Sequence, residues 1–210
     1  MQENDLELKE KLQQGLNRLG HTDVIMQDKL WQYLLLLKKW NQVYNLTAIR
    51  DLDEMISHHV LDSLAIAPYL NGVDFIDVGT GPGLPGIPLS IIMPNKRFTL
   101  LDSNSKKTAF LLQAKAALKL DNMQVVCSRV EDYAGSYDGV LSRAFTAVHD
   151  FVASTQHLLK KDGAWYAMKG PQYIDEVKAI SNFSHNTLAL TIPFLAKERF
   201  LTIIKNTGAI

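Results

Sequence analysis

The chain has 210 residues, 47% of them hydrophobic, with 22 Lys and Arg against 22 Asp and Glu. This suits one sizeable α/β domain with an appendage and excludes fibrous and disordered classes, while a formal net charge of zero removes the simple electrostatic case for nucleic-acid binding. The longest apolar cluster, Leu34 to Leu37, is closed by Lys38 and Lys39, far short of the roughly 20 residues that span a bilayer. The acidic start, Met1-Gln-Glu-Asn-Asp, is unlike a secretory signal, so a cytoplasmic location is expected.

Residues 1–71 read as a helical extension. Leu12, Leu16 and Leu19 fall at i, i+4 and i+7 and close at Gly20, marking one amphipathic helix. A second, over 27–44, carries Leu30, Trp31, Leu34, Leu37 and Trp40. Asp51 with Glu54 forms a capping-box-like start for a third through Ile56, Val60, Leu64 and Tyr69. His58 and Asp62 on this helix have the spacing of paired metal ligands, but two ligands do not make a site. No metal is expected, and His58, His59 and Asp62 are read as packing residues or as holding the extension near a substrate entrance.

From residue 72 strands alternate with helices, the pattern of a parallel sheet with crossover helices, so 72–210 is expected to form the main domain. Strands are predicted at 73–78, 97–102, 123–127, 138–143 and 164–168, and helices at 84–93, 105–118, 147–158 and 172–180. The single cysteine, Cys127, reads as a core or strand-end thiol. Residues 187–194, a short link at 196–198 and residues 199–205 read as a hairpin with no helix between, giving an antiparallel edge strand.

The run Asp77-Val-Gly-Thr-Gly-Pro-Gly-Leu-Pro-Gly86 joins the first of these strands to a helix. Gly79, Gly81 and Gly83 permit positive φ and leave main chain bare for a ligand, and free N–H groups at the helix start would favour an anionic or carboxylate group. Asp102 follows Gly79 by about 23 positions, where a doubly wound fold places its ribose-binding carboxylate. Gly81-Pro-Gly83-Leu-Pro-Gly86 also matches a nicotinamide-dehydrogenase fingerprint. The terminal hairpin stands where a dehydrogenase needs its second mononucleotide half. Five parallel strands closed by a hairpin point instead to a Rossmann-like S-adenosyl-L-methionine (AdoMet) methyltransferase. Between Lys96 and Arg129 basic residues dominate, which suits either phosphate contact or a solvated helix face.

Several blocks in order, Trp40-Asn-Gln-Val-Tyr-Asn-Leu-Thr47, His59-Val-Leu-Asp-Ser-Leu64, Asp77 to Gly86, Leu101-Asp-Ser103, Arg129-Val-Glu-Asp132, Ser142-Arg-Ala144 and Met168-Lys-Gly170, resemble the RsmG family. This family, also called glucose-inhibited division protein B, comprises the bacterial 16S rRNA guanine-N7 methyltransferases. The resemblance implies AdoMet as methyl donor, with Gly79, Gly81 and Leu84 beside its methionine half, Asp102 at the ribose, and Val130 and Glu131 at the adenine. It makes Arg143 the cofactor-site arginine and the candidate catalytic residue. The implied partner is 16S rRNA or the small ribosomal subunit, with Lys106, Lys107, Phe145 and Lys169 as candidate RNA-binding residues. Guanine N7 has an in-plane lone pair and no proton, so transfer needs alignment and no general base. The deep, narrow major groove of A-form RNA directs the target to a loop. Blander roles stay open: Asp102 as a helix cap, Glu131 as a surface acid, Arg143 bridged to Asp138 or Asp77. A protein or small-molecule acceptor, a nicotinamide oxidoreductase and a non-enzymatic assembly factor remain the competing functions.

Overall fold

The computed structural model describes residues 3–143, 147–171, 176, 180 and 183–206. Helix α1 (Glu3–Arg18) buries Leu12 and Leu16, and Gly20 at φ 83° turns the chain so that the His21 N–H reaches the Leu16 carbonyl. Helix α2 (Val24–Tyr44) starts on Asp23, whose carboxylate accepts from the Met26 N–H, and buries Leu30, Trp31, Leu34 and Leu37. Asp51 caps α3 (Leu52–Met55) by accepting from the Asp53 N–H. The third predicted helix is not uniform: it widens to a π-helical segment at Ile56–Leu61 before α4 (Asp62–Leu64) and a 3₁₀ turn at Ala67–Tyr69.

Strands β1 (Asp74–Val78), β2 (Arg97–Asp102), β3 (Met123–Cys127), β4 (Tyr137–Arg143) and β5 (Leu159–Lys169) are parallel. With β6 (Phe183–Leu190) and β7 (Arg199–Asn206) they form one sheet in the order β3-β2-β1-β4-β5-β7-β6. The predicted antiparallel edge strand is therefore corrected. The antiparallel strand β7 lies inside the sheet, between β5 and β6, and β6 takes the edge. An interior slot buries both faces, and β7 supplies Leu201, Thr202 and Ile204, all fully buried, whereas Ser184, His185 and Asn186 of β6 are exposed. Strand β6 also ends four residues before the predicted limit of 194. Strand β5 begins at Leu159, with an irregular register where Tyr137 pairs with Leu159 and Gly139 with Ala164.

Alternation along the strands sends Phe75, Phe98, Leu100 and Tyr166 to one face, where they share a buried cluster with α1–α4, α5 (Gly86–Ile92) and α6 (Ser105–Leu118). Ile76, Val78, Val140 and Trp165 point to the other, packed with Val148, Phe151 and Val152 of α7 (Val148–Thr155). Trp165 donates its indole N–H to Thr155 Oγ1 at 2.9 Å, so the large ring is buried without an orphaned donor. The N-terminal helices thus complete the same core as the sheet. Cys127 is exposed at the end of edge strand β3. The helix predicted at 172–180 lies largely outside the described residues. Among the described residues no helix is long and apolar enough to cross a membrane.

Candidate active site

The register brings Val78 opposite Leu101, Asp102 opposite Cys127 and Arg143 opposite Met168, so the carboxyl ends of five strands form one rim. Chain direction on either side of β1 diverges toward β2 and β4, which opens a cleft there. The glycine turn enters this cleft with Gly79, Gly81 and Gly83 at φ 66°, 59° and 90°. Gly86 is required for closeness: a Cβ there would sit 2.8 Å from Leu100 Cγ and 2.9 Å from Asp77 Oδ2.

The turn's N–H groups are all used internally. Gly79 and Thr80 donate to the Leu101 carbonyl, Gly81 to Asp102 Oδ2 at 2.9 Å, Gly83 and Leu84 to the Thr80 carbonyl, Gly86 to Asp77 Oδ2 at 2.8 Å and Ile87 to the Gly83 carbonyl. Pro82 and Pro85 have no N–H. The expectation of free donors at this helix start is therefore corrected, and an anionic ligand group finds no unused N–H in this turn. Tyr33 of α2 holds the turn from outside, its hydroxyl donating to the Pro82 carbonyl at 2.9 Å. Asp77, which the turn wraps, is fully buried and its carboxyl is pushed up to about 6 by burial, despite bonds from Thr80 and Gly86. Among the described residues its Oδ1 has no hydrogen-bond partner.

Two cavities of about 400 and 420 Å³ meet at Gly79. The first is lined by Asp102, Val130 and Glu131, with Lys107 on its wall. Asp102 accepts from the Gly81 and Asn104 N–H groups, and Asn104, not Asp102, caps α6 through the Lys106 and Lys107 N–H groups. Val130 is buried and Glu131 exposed, on a 3₁₀ turn after β3. The second cavity is lined by Gly81, Leu84, Arg143, Lys169 and Arg199 together with Ile49, His59 and Asp62 from the N-terminal segment.

Arg143 pairs with neither Asp138 nor Asp77. Its Nη1 donates to the His58 carbonyl at 2.7 Å and to Asp62 Oδ2 at 3.2 Å, and its Nη2 lies 3.5 Å from His59 Nδ1. Asp138 is occupied by Lys160 and by the Val73 and Asp74 N–H groups. His59 Nε2 meets Thr47 Oγ1 at 2.9 Å, and burial, then Arg143, press the imidazole down to about 3, so it is neutral. Thr47 and Ile49 are placed by Asn41, which accepts from the Thr47 N–H and donates to the Ile49 carbonyl. Asp62 is paired with both Arg143 and Arg199.

Lys106 is exposed on the first turn of α6. Lys107 bends inward, its Nζ 3.7 Å from Asp102. Lys169 sits in the second cavity at 13% exposure, 2.7 Å from Glu176. Phe145 lies outside the described residues. Tyr33 and Arg199 escaped the sequence reading, which named Asp62 for packing or for holding the extension near a substrate entrance but not as a partner of Arg143. Asp62 carried a signal, a lone acid in the apolar run Val60-Leu-Asp-Ser-Leu64.

A largely parallel sheet with one reversed strand next to its end, and a cleft at the carboxyl edge of β1, defines the Rossmann-like methyltransferases. Magnesium protoporphyrin IX methyltransferase from Synechocystis PCC 6803, solved with bound SAM, has this fold at TM-score 0.59 and 14% identity, covering 83% of this chain and 97% of that one. So does the ribosomal protein L11 methylase of Lactobacillus delbrueckii subsp. bulgaricus, at TM-score 0.56 and 15% identity over 70% of this chain and 77% of that one. Residues 26–202 match the family model described as rRNA small subunit methyltransferase G. Relatives named ribosomal RNA small subunit methyltransferase G include one from Hydrogenovibrio crunogenus, 55% identical over 84% of this chain and 83% of its own length. Another, from Pseudomonas syringae pv. tomato, is 43% identical over 95% of this chain and 97% of its own. The chain belongs to the rRNA small subunit methyltransferase G family.

Proposed function

We propose that this chain transfers a methyl group from AdoMet to N7 of a guanine in a loop of 16S rRNA, free or within the small ribosomal subunit, in the cytoplasm and without a metal. The observation that carries the reading is the pair of cavities meeting at Gly79, one lined by the Asp102 carboxylate and one walled by Arg143, Lys169 and Arg199.

The residues fit an adenosine on the first side. Each Asp102 oxygen accepts one N–H and keeps a lone pair for ribose hydroxyls. Val130 offers an apolar surface to adenine, and Glu131 an acceptor for its amino group. Gly79 and Gly81, without side chains, would leave room for the sulfonium portion where the cavities meet, and Leu84 would pack beside it. With the turn's N–H groups spent, Arg143 is the donor assigned to the methionyl carboxylate, the anionic group of AdoMet. Its catalytic part is alignment, because fixing that end fixes the direction in which the methyl group points.

When bound, AdoMet supplies an electrophilic methyl group on a sulfonium. The acceptor lone pair needs no deprotonation, and His59, held neutral and hydrogen-bonded on both ring nitrogens, is too weak a base to provide it. Lys106 and Lys107 are assigned to the RNA backbone, Lys169 to the rim and Phe145 to stacking on the target base. The test is transfer from labelled AdoMet to unmethylated small-subunit particles and to stripped 16S rRNA, with nucleoside mass spectrometry. 7-Methylguanosine is expected; a different methylated nucleoside, or none with AdoMet binding intact, removes the assignment.

A further inference from the structure

An arginine at a strand end carries several free torsions, and ordering it costs entropy that some other group must offset. Around Arg143 the offsetting groups come from one stretch of the N-terminal segment. The His58 carbonyl, within the π-helical turn, and the Asp62 carboxylate both accept from Nη1, at 2.7 and 3.2 Å. The Asp62 side chain is only 3% exposed, and its second oxygen, Oδ1, faces Arg199 Nε at 3.3 Å, an ion pair without hydrogen-bond alignment. Arg199 opens β7 and Arg143 closes β4, so one buried acid ties two strand ends to the helical segment. All three residues line the second cavity.

Buried ion pairs are weak stabilisers, since desolvation offsets most of the attraction, and an apolar trio would close this space at no worse cost. What an apolar trio lacks is a guanidinium in one fixed orientation at the cavity wall. π-Helical turns inside α-helices are likewise found at sites of function. We infer that Asp62 is a positioning residue for the cofactor: it orients Arg143 toward the methionyl carboxylate, with Arg199 bracing the carboxylate from the opposite side. This rests on the AdoMet assignment above and adds to it a residue that does not itself touch the ligand.

The test compares AdoMet with 5′-methylthioadenosine, which keeps the adenosine and the S-methyl group as a neutral thioether but lacks the amino-acid end, by titration calorimetry. In Asp62→Asn the AdoMet Kd rises roughly 10- to 100-fold, the loss of one charge-assisted hydrogen bond, while the 5′-methylthioadenosine Kd stays within about twofold. Equal weakening of both ligands would mark Asp62 as merely structural, and unchanged AdoMet affinity would overturn the inference outright. Adding Asp62→Asn to Arg143→Gln should cost nothing further, because Asp62 acts through Arg143; an additional loss contradicts that route.

Removing the acid leaves two buried cations without a counter-charge and can prevent folding, so Arg199→Met, which leaves Asp62 paired with Arg143, is the second variant. It should weaken AdoMet roughly several-fold with the same selectivity; no selective change sinks the bracing role. A wild-type protein that fails to bind AdoMet removes the cofactor assignment and this inference together. One that binds AdoMet with the predicted selectivity but leaves rRNA unmethylated removes only the substrate.

Discussion

Replacing Asp77 with Asn should make the protein more resistant to unfolding as the pH rises, relative to wild type. Asp77 is wholly buried, one of its oxygens lacks a hydrogen-bond partner among the described residues, and burial carries its carboxyl from 3.8 to about 6. A raised pKa in the folded state means that, between these two values, the native protein holds a proton the unfolded chain has released. Stability from this group is therefore present at low pH, falls as the pH climbs through that window, and levels off above it. The two values imply a loss of about 3 kcal/mol by neutral pH. Asn keeps the shape and can still accept from Thr80 Oγ1 and the Gly86 N–H through one oxygen, but has no charge to bury. Its amide leaves new donors without partners, a cost of about 1–3 kcal/mol that does not vary with pH. The diagnostic quantity is thus the change with pH, not the absolute difference. Urea unfolding of both proteins from about pH 4 to about pH 8 should show the variant gaining about 2.5 kcal/mol on wild type before reaching a plateau. Other groups titrate in both proteins and cancel, including His59, whose depressed pKa works in the opposite sense and costs stability as the pH falls below 6.5. A flat or falling difference would show that burial does not dominate at Asp77.

Tyr33→Phe strips the donor from the Pro82 carbonyl, and should cost about 1 kcal/mol in denaturant melts and weaken AdoMet a few-fold; unaltered AdoMet affinity would mean that α2 does not brace the turn. Lys106→Glu should raise the RNA KM and flatten its salt dependence with AdoMet binding intact, whereas Lys107→Glu should disturb both, because its ammonium lies 3.7 Å from Asp102. Identical behaviour of the two variants would contradict the inward placement of Lys107. Phe145→Leu should lower methylation of rRNA without altering the AdoMet Kd, and parallel losses in both assays would rule out base stacking.

The sequence disclosed what local chemistry controls. Apolar spacing located α1 and α2, with Gly20 closing the first, apolar runs between helices located the first four strands, and the spacing from Gly79 to Asp102 placed both on one rim, since a βαβ unit of that length allows little else. The hairpin was legible, but not which arm would enter the sheet. That depends on what β5 offers as a neighbour, and the contrast between Phe-Leu-Thr-Ile-Ile in β7 and Phe-Ser-His-Asn-Thr in β6 gains meaning only once an interior slot exists. The fate of the turn's N–H groups was equally hidden. Gly81 donates to a residue 21 positions away and Gly86 to one 9 positions back, so their availability is a property of the closed fold. The grip on Arg143 spans 81 residues to Asp62, beyond the reach of any periodicity.

The insertion of β7 between β5 and β6 sets an order of events during synthesis. As the chain leaves the ribosome, β6 emerges first yet has no permanent neighbour: its place is outside a strand that has not been made. Until β7 follows, β5 ends in an unpaired edge beside Trp165 and Tyr166, the Phe183 to Leu190 segment can pair only in the wrong position, and Arg199 is missing from beside Asp62. Nascent chains halted between the two strands are therefore the ones that a chaperone would capture, and a ribosome-release time course with a protease probe should find the cleft closing only after residue 206 has cleared the exit tunnel.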